Sequence, residues 1–189
     1  MGKPHSDSKV TGLTGGEDEF SSNIEDARQA TGEERVRAFM KITADEKDLS
    51  KRNWMTFILP HLELLSSDTS DSAHPKVLFR HSVKPEHCNT LGNMHGGCTA
   101  TLFDFCTSSV LALVSRPGFW AFLGVSRTLN VTYLRPAPCD ETVVIECEIV
   151  QVGKKLCTLR GVMRRESDGT LLATCEHGKV NTDPPVGKL

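Results

Sequence analysis

One uncharged segment constrains the fold of this chain more than any other feature. Asp104 is the only charged residue between Gly96 and Ser115, and Arg116-Pro117-Gly118 ends the segment. Gly96 opens a helical run of mostly apolar residues, which predicts one long helix suited to almost complete burial. A chain of 189 residues is the size of one ordinary domain, so that domain must supply a surface that covers the helix.

The sequence on both sides of this segment indicates β-strands that can form the cover. Apolar and polar residues alternate downstream, and Asp168-Gly169 is a strong signal for a hairpin turn. The candidate strands are 76–83, 119–135, 143–149, 157–164 and 171–180. One buried helix among antiparallel strands predicts an α+β hotdog fold, in which a curved antiparallel sheet wraps around one long central helix.

The N-terminal part of the chain has a different character. Residues 1–31 are rich in Gly, Ser, Thr, Asp and Glu and lack a sustained apolar period, which is typical of disorder. Apolar residues then recur at helical spacing from Gly32 to Leu65, and Ser66–Pro75 has the composition of a loop. The predicted units are a disordered lead at 1–31, a helical N-terminal extension at 32–75, the hotdog domain at 76–182 and a tail at 183–189.

Composition excludes several classes of function. Lys and Arg total 22 and Asp and Glu total 24, a balance that argues against nucleic acid as a partner. No uncharged apolar stretch reaches the length of a membrane span. The seven cysteines are an odd number without a C-x-x-C pair, so we expect them to be reduced, in a cytoplasmic protein. The histidines are scattered, and no metal site is predicted.

The C-terminal Gly187-Lys188-Leu189 resembles a peroxisomal signal that lacks its serine. A peroxisomal or mitochondrial location is therefore the alternative to the cytoplasm.

The candidate chemistry lies at the start and in the middle of the predicted helix. His95-Gly96-Gly97 stands where a loop becomes the helix, and the N–H groups of a first helical turn have no partner inside the helix. Their partial positive charge favours a carbonyl oxygen or an oxyanion. Helical spacing puts Asp104 on one stripe with Thr101 and Ser108. A lone acid on an apolar helix indicates either a general base or a structural bridge to nearby hydroxyls.

These residues resemble a known motif. The order Asn89-x-x-Gly-x-x-His95-Gly-Gly, six residues, then Asp104 is similar to the phenylacetate-type branch of the hotdog acyl-CoA thioesterases, including the eukaryotic acyl-CoA thioesterase 13-like proteins. The resemblance covers about residues 76–182. It implies hydrolysis of R–CO–S–CoA to a free acid and coenzyme A, in lipid metabolism, with no cofactor other than the coenzyme A of the substrate and product.

The resemblance also implies roles for individual residues. Asp104 would be the general base or nucleophile, and the Gly96 N–H would polarise the thioester carbonyl. Asn89, His95 and Ser126 would place water or the thioester group. The residues predicted to bind substrate or coenzyme A, from the resemblance or from their charge, are Gly97, Arg127, Thr128, Tyr133, Arg135, Gly153, Lys154 and Lys155. The family's site lies between subunits, with Asp104 facing the partner subunit's Gly96, so a homodimer or a dimer of dimers (a homotetramer) is implied.

Two questions stay open from the residues. Arg127 has the parity of an apolar strand position, where it could meet a phosphate, meet a substrate carboxylate, or mark a β-bulge. The chain could also act on acyl groups bound to a carrier protein, or bind acyl thioesters without hydrolysing them.

Overall fold

The sheet of this protein has six antiparallel strands. The structure, a computed structural model, describes residues 27, 29–44 and 54–184. The strands are β1 Leu62–Asp68, β2 Lys76–Ser82, β3 Val125–Tyr133, β4 Thr142–Val152, β5 Leu156–Arg165 and β6 Leu171–Val180; the helices are α1 Gly32–Ala44 and α2 Gly96–Val110. Their order across the sheet is β1-β2-β4-β5-β6-β3. Short 3-10 turns occupy Leu59–His61, Pro85–His87 and Leu111–Leu113.

Helix α2 lies in the concave face of this sheet, as the sequence predicts. Leu102, Phe103 and Cys106 are wholly buried against strand residues such as Ile145 and Leu159. Gly161 of β5 makes the close approach possible, because a Cβ there would lie 2.6 Å from Phe103 Cδ1. The α+β hotdog fold is therefore confirmed.

The segment Gly96–Leu113 is long and apolar enough to cross a membrane, but 56% of it is buried inside the protein. The sheet encloses it, so it is the core helix of this fold rather than a span.

The sheet starts earlier in the chain than the sequence predicts. Leu62–Asp68 form strand β1, so the helical and loop predictions for these residues are wrong. The reason is local: Leu62 and Leu64 alternate with exposed Glu63, and pairing with β2 buries both leucines. Helix α1 lies inside the predicted helical extension. Ala27 and Gln29 are helical rather than disordered, while the rest of the predicted lead, 1–26 and 28, lies outside the described residues.

Polar contacts fasten both ends of the described chain to the loop before β3. Arg35 of α1 is 2% exposed, and its Nη2 donates to the Ala121 carbonyl at 2.7 Å. Asp183 accepts from the N–H groups of Ala121 at 2.7 Å and Phe122 at 3.1 Å. The predicted tail therefore begins with a residue that belongs to the fold, and 185–189 lie outside the described residues.

The seven cysteines are all free thiols. Five are buried, and burial raises the pKa of Cys98 to about 11 and that of Cys175 to about 12. Cys88 and Cys139 are half-buried. High thiol pKa values leave the buried cysteines as weak nucleophiles, and they act as small core residues.

Strand β3 is an open edge of the sheet. Among the described residues it pairs with β6 alone, on one side, and most of its side chains are exposed, including Val125 at 51% and Tyr133 at 55%. The pairing register shifts between Ser126 and Thr128, so Arg127 is the extra residue of a β-bulge. Of the three interpretations of Arg127, the bulge is the one confirmed.

Candidate active site

The start of helix α2 is held by His95. The His95 Nδ1 atom accepts the Gly97 N–H at 2.9 Å, which caps the helix and places the ring proton on Nε2. The Gly96 N–H has no acceptor among the described residues. The two glycines therefore differ: the Gly97 N–H is used inside the protein, and the Gly96 N–H remains for an oxygen of a ligand.

Asn89 shapes the loop that leads into the helix. Its Oδ1 accepts the N–H groups of Leu91 at 2.9 Å and Asn93 at 3.3 Å. These bonds fix which end of the amide is oxygen, because only an oxygen can accept from two N–H groups. The Nδ2 group of Asn89 is thus the end that can donate to a ligand.

A cavity of about 400 Å³ brings four predicted site residues together. Asn89, Gly96, Tyr133 and Arg135 all line it. The Tyr133 hydroxyl donates to the Gly96 carbonyl at 2.9 Å, and Arg135 Nη1 donates to the Leu171 carbonyl at 3.0 Å. The ring of Tyr133 also lies 3.5 Å from the position of a Cβ on Gly96. Tyr133 thus positions the first helical residue; we call this cluster the carbonyl half-site.

Asp104 lies in a second cluster, farther along the same helix. The Ser126 hydroxyl donates to Asp104 Oδ1 at 2.6 Å. His177 Nε2 lies 2.9 Å from Ser126 Oγ and 3.4 Å from Asp104 Oδ1, and Thr107 Oγ1 lies 2.7 Å from His177 Nδ1. The Asp104 side chain keeps 49% of its exposure, so water can reach the carboxylate. We call this cluster the acid half-site.

Two residues of β6 complete the acid half-site and were missed by sequence reasoning. Burial, with the charge of Lys179 adding to it and that of Asp104 opposing it, lowers the pKa of His177 to about 4. Lys179 is 4% exposed and donates to Ser108 Oγ at 2.6 Å. Burial lowers the pKa of Lys179, and the carboxylate of Asp104 opposes this. The carboxylate therefore stands beside a neutral imidazole and a buried amine.

The two half-sites are far apart within one chain. Asp104 follows Gly96 by eight residues, which is about 12 Å along an α-helix at about 1.5 Å per residue. Ser126 and Tyr133 stand near opposite ends of β3, seven residues and about 23 Å apart. A thioester carbon must lie about 3 Å from both an attacking water and the donors to its oxygen. The Gly96 N–H and the Asp104 carboxylate of one copy are therefore farther apart than this arrangement requires.

The remaining predicted residues lie around the acid half-site. Thr128 packs over Gly178, where a Cβ would lie 2.6 Å from its Oγ1. Gly153, Lys154 and Lys155 form the β4–β5 turn, where the Gly153 carbonyl accepts from Trp120 Nε1 at 2.8 Å. Register places Leu156 and Val125 on either side of Val180, so this turn is at the Ser126 end of β3. The structure therefore separates these residues from Tyr133 and Arg135.

Histidine and cysteine side chains also approach one another beside the start of α2. His81, His87 and Cys98 place possible metal ligands within 4.8 Å of one another. However, the Lys84 N–H donates to His87 Nδ1 at 3.0 Å, and His87 Nε2 lies 2.7 Å from the Phe57 carbonyl. Both nitrogens of His87 are therefore used in hydrogen bonds, and the ring has no lone pair left for a metal.

Comparisons with known proteins identify relatives of this chain. Residues 91–172 match the model of the thioesterase superfamily. Human acyl-coenzyme A thioesterase 13 is 35% identical over 117 residues, which are 61% of this chain and 81% of the human protein. The crystal structure of zebrafish thioesterase superfamily member 2 superimposes with a TM-score of 0.65 at 26% identity, covering 80% of this chain and 99% of the other.

A hypothetical thioesterase from Streptococcus pneumoniae, solved with coenzyme A, has a TM-score of 0.56 at 22% identity and shares the fold. The match covers 67% of this chain and 89% of the bacterial one.

Proposed function

The chain belongs to the thioesterase superfamily, and from this we propose that it hydrolyses acyl-coenzyme A thioesters with Asp104 as the general base. The observation that carries the assignment is the acid half-site: a half-exposed carboxylate, hydrogen-bonded to Ser126 at 2.6 Å, on a helix whose opposite face is buried. Relatives named acyl-coenzyme A thioesterase 13 support the choice of coenzyme A.

In the proposed reaction, Asp104 removes a proton from water as the oxygen attacks the thioester carbon. Ser126 orients the carboxylate and the water. The carbonyl oxygen gains negative charge and is stabilised by the Gly96 N–H and the Asn89 amide. The C–S bond then breaks, the proton passes to the coenzyme A sulfur, and the products are a free acid and coenzyme A. The His95 Nε2–H can donate a hydrogen bond to the thioester group without giving up its proton.

We propose that two copies build each site through the open edge of β3. Antiparallel pairing of two β3 strands about a two-fold axis near Leu129 puts Ser126 opposite the partner subunit's Thr132. The acid half-site of one copy then meets the carbonyl half-site of the other. The two groups that lie about 12 Å apart along one helix are then supplied by two different copies. The pairing also gives hydrogen-bond partners to the unpaired backbone groups of the β3 edge.

Exposed cations suit the phosphates of coenzyme A. Arg127, Lys154 and Lys155 are exposed near the Ser126 end of β3, where the strand bulges. Charge-assisted contacts to phosphate need such side chains at an entrance rather than in the core. We propose that the coenzyme enters along this end and that the acyl group points towards the start of α2.

A hydrolysis screen of acyl-CoA esters from two to sixteen carbons tests the proposal. Asp104→Asn keeps the size of the side chain but removes the base, and we expect kcat to fall about 10²- to 10⁴-fold. Asp71→Asn, on an exposed loop, is the control and should act like the parent. Full activity of Asp104→Asn refutes the mechanism. Faster turnover of carrier-protein-bound esters would assign the carrier as substrate instead, and an active monomer in light scattering would refute the shared site.

A further inference from the structure

We propose that the segment Trp54–Ile58 forms the outer wall of a subsite for the hydrocarbon tail of the acyl group and so sets its chain length. This inference rests on the proposed function. The segment covers a second cavity of about 480 Å³ beside the start of α2. Trp54, Phe57 and Ile58 line one wall, and His95 and Cys98 line the other.

Consecutive residues at the start of α2 line this cavity and the cavity of the carbonyl half-site. His95 lines this cavity, whereas its neighbour Gly96 lines the cavity that holds Asn89 and Tyr133. A thioester whose carbonyl oxygen meets the Gly96 N–H therefore has an apolar space one residue away. Because we propose that the coenzyme enters at the Ser126 end of β3, the substituent of the carbonyl carbon that this space receives is the other one, the acyl tail.

The segment is fastened to the helix by side-chain and backbone contacts. Trp54 Nε1 donates to Thr101 Oγ1 at 2.7 Å, and Thr101 in turn donates to the Gly97 carbonyl at 2.9 Å. At the other end, the Phe57 carbonyl lies 2.7 Å from His87 Nε2, and His87 is 2% exposed. The wall is thus tied to the same helical turn that carries the proposed carbonyl-binding groups.

The composition of the wall indicates a neutral hydrocarbon. Trp54 is 74% exposed and Phe57 is 53% exposed, so two large aromatic side chains are available for an apolar ligand to cover. Glu86 also lines the cavity and lies 3.7 Å from His61. A carboxylate at the far end of a dicarboxylic acyl group would be repelled by Glu86. Simple fatty acyl groups are therefore the expected class.

The test compares kcat/KM for dodecanoyl-CoA and butanoyl-CoA in the full-length protein. Burying one methylene group is worth roughly fourfold in kcat/KM. Trp54→Ala and Phe57→Ala should each lower the value for dodecanoyl-CoA roughly tenfold, which corresponds to lost contact over about two methylene groups. Butanoyl-CoA should change less than about twofold, since its tail is too short to reach the wall. Trp54→Phe keeps an apolar ring and should therefore retain most of the preference for dodecanoyl-CoA over butanoyl-CoA.

Two further variants make the result decisive. Cys98→Leu narrows the cavity from the helix side and should lower only the dodecanoyl value. The matched control is Phe122→Ala, because Phe122 is an exposed aromatic residue outside the cavity. It should leave the ratio of kcat/KM for dodecanoyl-CoA to kcat/KM for butanoyl-CoA unchanged. An unchanged ratio in Trp54→Ala, or an equal loss for both substrates, overturns the subsite. If the parent hydrolyses neither ester, the proposed function fails; if it hydrolyses both, only the subsite is at stake.

Discussion

Mixing two inactive variants should restore activity, if each site takes one half from each copy. Asp104→Asn removes the base of the acid half-site, and Asn89→Ala removes a donor of the carbonyl half-site. The single variants should lose about 10²- to 10⁴-fold and about 10²- to 10³-fold in kcat, respectively. In a dimer with one copy of each, one site carries both defects and the other carries neither.

The expected size of the recovery follows from counting sites. Equal amounts of the two variants, allowed to exchange subunits, give about half mixed dimers. One of the two sites in each mixed dimer is intact, so the mixture should reach about one quarter of the parent kcat per chain. This exceeds the activity of either variant alone by at least an order of magnitude.

A second mixture controls for the exchange itself. Asp104→Asn and Ser126→Ala damage the same half-site, 2.6 Å apart in one chain. No mixed dimer of these two has an intact site, so the mixture should stay inactive. The assay is steady-state thiol release from an acyl-CoA ester. If a mixture of Asp104→Asn and Asn89→Ala is no more active than the sum of its components, each chain acts alone. That result would refute a site built from the half-sites of two copies.

Three further outcomes are expected. Gly161→Ala pushes a methyl group into Phe103, where the Cβ would lie 2.6 Å from Cδ1, and should lower the free energy of unfolding by about 1–3 kcal/mol, read as a fall in Tm. Burial and the neighbouring histidines lower the pKa of His81 to about 3. The folded state therefore binds fewer protons than the unfolded state below about pH 7. As the pH falls from 7.5 to 5, His81 should lower the free energy of unfolding by about 2 kcal/mol. His81→Leu should reduce that acid-induced loss in urea titrations, and identical pH profiles would contradict it. Tyr133→Phe breaks the bond to the Gly96 carbonyl and should lower kcat/KM about fivefold with Tm unchanged; an unaltered kcat/KM would remove the positioning role.

The helix and its acid could be predicted because both are local patterns. A run with one charge predicts a buried helix, and helical spacing puts Asp104 on a half-exposed stripe with Thr101 and Ser108, as observed. Strand β1 was missed because its short alternation follows a helical pattern directly. Its identity as a strand depends on pairing with β2, which no local window contains.

The acid half-site could be predicted only in part. Alternation along β6 puts His177 and Lys179 on the parity of buried Ala173 and Cys175. Two polar residues on a buried parity are a usable signal that the sequence reasoning did not use. Their contact with Ser126 depends on the register between β3 and β6 across a bulge, which is a property of the folded sheet.

Bulges at both edges of the sheet bear on solubility. In β1 the register shifts between Leu64 and Ser66, and in β3 it shifts at Arg127. An uninterrupted edge strand can recruit further strands without limit, which is a route to aggregation. A bulge bends the edge and breaks the ladder, and Arg127 adds a charge there. Two-fold pairing of β3 would give the β3 edge of each copy a hydrogen-bonded partner. The short, bulged β1 strands would then be the two edges of the joined sheet, so the sheet would stop growing at two chains.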